Sequence, residues 1–118
     1  MEKLISWVEI PAANFDRAVD FYNSVFKLDL QKQDFEAEKM VCFPTGEGAI
    51  SFAPDFKPSE NGTLVSFNAP DSIDETLARV EKNGGKTIIP KTKIEAEGRD
   101  YFATCLDSEG NRIGLYGK

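Results

Sequence analysis

Histidine is absent from this chain, and the absence limits most of what its sequence can mean. No Ser–His or Cys–His pair and no imidazole metal ligand can be assembled from it. Only two cysteines occur, Cys42 and Cys105, too few for a disulfide framework. Both lie in apolar, strand-like runs, where burial as small hydrophobes is expected. No apolar run approaches the roughly 20 residues that span a bilayer. Residues 1–11 lack the apolar stretch of about 7–15 residues found in a signal peptide. No membrane association is expected, and the cytoplasm is the expected location. Basic charge is also short. Fourteen Lys and Arg face twenty Asp and Glu, for a net charge of −6, and the densest basic stretch, Lys86–Lys93, holds three lysines. Nucleic acid is therefore excluded as an expected partner. No glycine pattern of a phosphate loop or dinucleotide fold occurs either.

What is present is an ordinary globular composition, 41% hydrophobic and 29% charged, with its elements in a repeated order. Lys3–Pro11 alternates in polarity as a strand does and ends at proline. Asn14 is a good helix cap, and Phe15, Ala18, Val19, Tyr22, Val25 and Phe26 recur at helical spacing. Leu28–Phe35, Ala37–Pro44 and Glu47–Ala53 read as three short strands. Pro54–Gly62 is the one connector rich in Pro, Gly and Asn. The order then repeats: a strand at Thr63–Ala69, a helix opened by the capping box Ser72–Glu75 and stopped at Asn83-Gly84-Gly85, a strand at Lys86–Pro90, and a polar loop at Lys91–Gly98. A hairpin of Arg99–Leu106 and Arg112–Gly117 closes the chain. The expected architecture is α+β: a single domain spanning residues 1–118, made of two tandem βαβββ modules at about 1–56 and 61–118. Their period is about 58 residues, and neither half is large enough to hold a core alone. Strands of both halves are expected in one curved mixed sheet, helices outside, with a concave cleft for a small molecule.

Trp7–Tyr22 (WVEIPAANFDRAVDFY) and Leu106–Leu115 (LDSEGNRIGL) resemble the opening strand and helix, and the closing hairpin, of the glyoxalase/bleomycin resistance protein/dioxygenase (vicinal oxygen chelate) superfamily. Pro58–Thr63, Lys82–Lys86 and Pro90–Ile94 are similar to a glyoxalase-related bacterial subgroup. The resemblance implies a metal held by four inward-facing His, Glu or Gln side chains, one from the first and one from the last strand of each module. Those positions fall on Trp7, Ser51, Leu64 and Gly114. None is a useful donor, while a divalent transition metal needs three or four. No metal and no other cofactor is therefore expected. Glu9 shares a strand face with Trp7 and is the candidate catalytic carboxylate, its counterpart in the second module being Ser66. Trp7, Ser51, Leu64, Ser66 and Gly114, with Lys91 and Tyr101 beside the loop, are the expected ligand-binding residues. A homodimer is implied by the resemblance. The expected function is metal-independent binding of a small molecule, reaction undefined. The alternatives are a metal-dependent lyase or dioxygenase built around Glu9, and a non-catalytic interaction module whose cleft is filled by side chains.

Overall fold

The computed structural model describes residues 4–34, 39–95 and 100–118. Its elements are β1 (Val8–Pro11), α1 (Phe15–Phe26), β2 (Gln33–Asp34), β3 (Lys39–Cys42), β4 (Gly48–Phe52), β5 (Val65–Asn68), α2 (Ile73–Lys82), β6 (Lys86–Lys93), β7 (Tyr101–Leu106) and β8 (Arg112–Gly117). The expected βαβββ order occurs twice. Lys3, Phe35, Ala37, Arg99 and the loop tip at 96–98 lie outside the described residues.

Both helices begin and end for local reasons. The Asn14 side chain accepts from the Arg17 N–H at 3.1 Å, and α1 turns Phe15, Ala18, Val19, Phe21, Tyr22, Val25 and Phe26 inward. It stops at Lys27, which takes the left-handed conformation (φ 57°) while its N–H bonds the Asn23 carbonyl. In α2 the Ser72 hydroxyl accepts from the Glu75 N–H at 3.1 Å. Asp74 and Glu75 occupy its first turn and Arg79 and Lys82 its last, the arrangement a helix dipole favours. Gly84, at φ +94°, then reverses the chain.

Each module pairs its strands in the same way. The orders are β1-β4-β3-β2 and β5-β8-β7-β6, with the first pair parallel and the others antiparallel. The single sheet expected from sequence is thus two four-stranded mixed sheets. Among the described residues, β1 pairs only with β4 and β5 only with β8, so no ladder crosses between modules.

Side chains join the modules instead. One apolar cluster runs through both, from Ile10, Val41 and Ile50 through the helices to Ile73, Ala103, Ile113 and Leu115. Phe67 of β5 stacks near Phe26 (centroids 4.9 Å apart) and Tyr22 (5.7 Å) of α1. Arg79 grips Asp71 with two bonds of 2.9 and 2.8 Å and donates to the Val25 carbonyl at the end of α1. The Arg79 fork, helped by Lys27, holds the Asp71 carboxyl far below the usual carboxylate range.

Candidate functional site

Strand alternation decides which side chains face away from the core. Val8 and Ile10 pack on it, so Trp7 and Glu9 project from the opposite face of β1. Val41 is buried in β3, leaving Met40 and Cys42 on that same outer face. Cys42 is exposed for this reason, and of the two expected buried cysteines only Cys105 is buried. In the second module Val65, Phe67, Ile113 and Leu115 contact the core, which turns Ser66, Arg112 and Gly114 outward.

The outer faces bring some expected residues together. Ser51, 1% exposed, donates its hydroxyl to the Glu9 carboxylate at 3.0 Å. No ion pair involves Glu9 among the described residues. Ser66, Gly114 and Thr104 stand directly across from one another on β5, β8 and β7. A Cβ on Gly114 would overlap the Ser66 hydroxyl, so the glycine makes room for that side chain. Thr104 Oγ1 is buried beside it with no hydrogen-bond partner among the described residues.

Lys91 and Tyr101 fall elsewhere. Strand β6 continues through Pro90 to Lys93, because β7 offers it a partner as far as Tyr101, so Lys91 is a strand residue and not part of a loop. Its ammonium lies 4.4 Å from the centroid of the Tyr101 ring. Tyr101 shares its strand face with Ala103 and Cys105 and packs against the core, the side opposite Thr104 and Gly114. Neither residue lines a cavity described below.

Two cavities lie along the seam between β1 and β5. The larger, about 720 Å³, is bounded by Leu4, Ile5, Phe43, Val65 and Phe67, with Ser66 and Asn68 at its side. The smaller, about 400 Å³, is lined by Trp7, Glu9, Phe56, Lys57, Asn111 and Arg112, with apolar edges from β1 and β8. Both are large enough for a small organic molecule. Trp7 and Glu9 therefore share the smaller cavity, with Ser51 behind Glu9. Ser66 lines the larger one, and Leu64 and Gly114 line neither.

Asn111 gathers the walls of the smaller cavity. Its side-chain N–H bonds reach the Pro11 carbonyl at the end of β1 (2.8 Å) and Asp107 (3.0 Å). Its carbonyl accepts from the Ser59 N–H at 3.1 Å, fastening the connector that carries Phe56 and Lys57. Asp107, 2% exposed, also accepts from the Glu109 and Asn111 N–H groups and, at 2.6 Å, from the Tyr22 hydroxyl. Burial, reinforced by the Asp107 carboxylate, pushes the Tyr22 phenol well above its ordinary pKa. Glu109 accepts from the Ala13 and Asn14 N–H groups at 2.9 and 2.7 Å and from the Arg17 guanidinium at 2.7 and 3.0 Å. Burial alone would raise the Glu109 pKa, but these donors outweigh it and hold the group below the ordinary value. The Asp107–Asn111 turn is thus a polar latch between modules. From sequence it was legible only as a hairpin, although its acid and amide spacing marks a turn that bonds its own backbone.

Two mixed βαβββ sheets flanked by paired helices define the class of fold, and the comparisons with known proteins agree with it. The family model of the Glyoxalase/Bleomycin resistance protein/Dioxygenase superfamily matches residues 4–115, and the chain belongs to that superfamily. A glyoxylase-like domain-containing protein of Didymella fabae is 30% identical over 116 aligned residues, 91% of this chain and 88% of the relative. A glyoxalase/bleomycin resistance protein from Albidiferax ferrireducens superposes with a TM-score of 0.70 at 20% identity, covering 98% of this chain and 99% of that one. A fosfomycin resistance protein from Listeria monocytogenes gives 0.67 at 16% identity, covering 100% and 93%. At such identities the structures speak for the fold alone.

The superfamily's metal does not fit the residues at its four positions. Trp7, Ser51, Leu64 and Gly114 offer one hydroxyl between them, already spent on Glu9. Among the described residues no group of three His, Cys, Asp or Glu side chains converges.

Proposed function

We propose that this protein binds a small organic molecule in the 400 Å³ cavity between β1, the connector and the start of β8, without a metal of the superfamily's usual kind. The observation that carries this reading is the pairing of two aromatic walls with a fixed carboxylate. Trp7 and Phe56 are 43% and 37% exposed, while Glu9 is held by Ser51 from behind. Half-exposed aromatics beside one oriented polar group are what a small-molecule site needs. Glu9 is the side chain positioned to accept a proton or a donor from a ligand there. A diverse ligand panel read by thermal denaturation tests the reading. At saturating ligand, about a hundred times its Kd, a true ligand raises stability by roughly 2.7 kcal/mol, and the gain should vanish in Trp7→Ala. A panel without one stabilising compound sinks it.

The two modules are proposed to act as one domain, and the chain as a homodimer. Supporting the dimer, Leu4, Ile5, Trp7 and Leu64 are exposed just before β1 and β5, the edge strands of the two sheets, and exposed apolar groups of this kind mark interfaces. Sedimentation of the purified protein decides it: a single species of monomer mass at micromolar concentration refutes the dimer. Two unpaired thiols and the absence of any membrane-crossing helix among the described residues support a cytoplasmic location.

A further inference from the structure

The charged groups around the same cavity carry the reading one step further, to the kind of molecule it takes. Lys57, Arg112 and Glu9 line it. Among the described residues neither Lys57 nor Arg112 belongs to an ion pair; the four pairs present are Arg17–Glu109, Lys27–Asp71, Lys32–Asp16 and Arg79–Asp71. Glu9 accepts the Ser51 hydroxyl at one oxygen, and the cavity lining sets two cationic side chains outside those pairs against this one carboxylate. The excess is a local one, in a chain whose net charge is −6.

The backbone that carries both cations is fixed. Arg112 is the first residue of β8, paired across to Leu106, and it directly follows Asn111, whose side chain is fixed at three partners. Lys57 follows Phe56, whose N–H closes a tight turn onto the Ala53 carbonyl at 3.1 Å. Two residues beyond Lys57, the Ser59 N–H is tied to Asn111. An arginine at the start of a strand, in the lining of a largely apolar cavity, suits a planar carboxylate gripped by two parallel bonds. The aromatic walls suit a flat or apolar body attached to it.

We infer that the cavity takes a small aromatic or apolar carboxylate, with Arg112 as its anion anchor, Lys57 as a second cation at the rim, and Trp7 and Phe56 stacking on the body. This rests on the reading of the cavity as a small-molecule site. The chain's single tryptophan, Trp7, reports on it directly.

The test titrates Trp7 fluorescence with three probes of matched shape, benzoate, its neutral isostere benzamide, and the cation benzylamine. The expected result is saturable binding of benzoate, with benzamide and benzylamine weaker by about tenfold or more. R112Q should weaken benzoate about tenfold and leave benzamide unchanged, K57Q should give a smaller loss, and added salt should weaken benzoate selectively. R112K, which keeps the charge but not the fork, should fall between, and it serves if R112Q does not fold by circular dichroism. Benzamide or benzylamine binding as tightly as benzoate, or arginine variants without effect on benzoate, overturns the carboxylate inference while the small-molecule site stands. Silence from all three probes, together with a ligand panel that finds nothing, overturns both.

Discussion

Removing one oxygen from the buried latch should show how firmly the modules are joined. In Tyr22→Phe the ring keeps its contacts with Phe21, Phe26 and Phe67, so little apolar packing is lost. Asp107 keeps three donors, the N–H groups of Glu109 and Asn111 and the Asn111 amide, but loses the 2.6 Å bond from the phenol. A hydrogen bond to a carboxylate contributes roughly 1.5–3 kcal/mol. With an unfolding entropy of about 2.1 cal/mol/K per residue, the whole chain changes entropy by roughly 250 cal/mol/K, so that loss lowers Tm by about 6–12 °C. Urea and thermal denaturation measure it, with Tyr116→Phe as the exposed control, expected within about 0.5 kcal/mol of the parent. The same variant has an alkaline signature. The raised phenol pKa of Tyr22 stabilises the fold fully below about pH 10, the unfolded value, and that contribution is lost as pH rises further. Tyr22→Phe should therefore lose less stability than the parent above pH 10. A Tyr22→Phe protein within about 0.5 kcal/mol of the parent, with the same alkaline slope, would refute the latch.

Other outcomes follow from single features. The depressed pKa of Glu109 stabilises the fold above roughly pH 4.3 and is lost as pH falls through the folded value; Glu109→Gln should be less stable at pH 7 and show a flatter loss in acid unfolding. Ellman's reagent should titrate one thiol per native chain, exposed Cys42, because burial pushes Cys105 up to about 12; two rapidly reacting thiols would contradict the placement of β7. Gly48→Ala should cost roughly 3 kcal/mol or more by denaturant melts, since its Cβ would overlap the Val8 carbonyl where β1 meets β4.

Much of the fold was legible because local and tertiary demands agree. The Asn14 and Ser72 caps, the apolar stripe of α1 and the Gly84 stop each have a mechanism that needs no distant partner. The module repeat was visible for the same reason. Pairing between modules was not: alternation says which face of β1 is apolar, but which free edge meets another strand depends on long-range contact. The end of β6 was misplaced at Pro90, since proline normally leaves a ladder and here the pairing with β7 resumes past it after a register shift. At the site, parity put Trp7 and Glu9 on one face, and Ser51 came from the resemblance; its hydrogen bond to Glu9 is a finding of the structure. Parity gave no hint of Phe56, Lys57 or Arg112, which reach the cavity from a connector and a strand start. Lys91 and Tyr101 line neither of the two cavities, and side-chain direction at the end of an irregular strand cannot be counted from its sequence.

Residues 54–62 belong to no ladder of either sheet, so exchanges at Phe56 or Lys57 leave the strand framework and its helices untouched. Relatives with this architecture can acquire new chemical tastes by rewriting a short tether while the scaffold stays as it was.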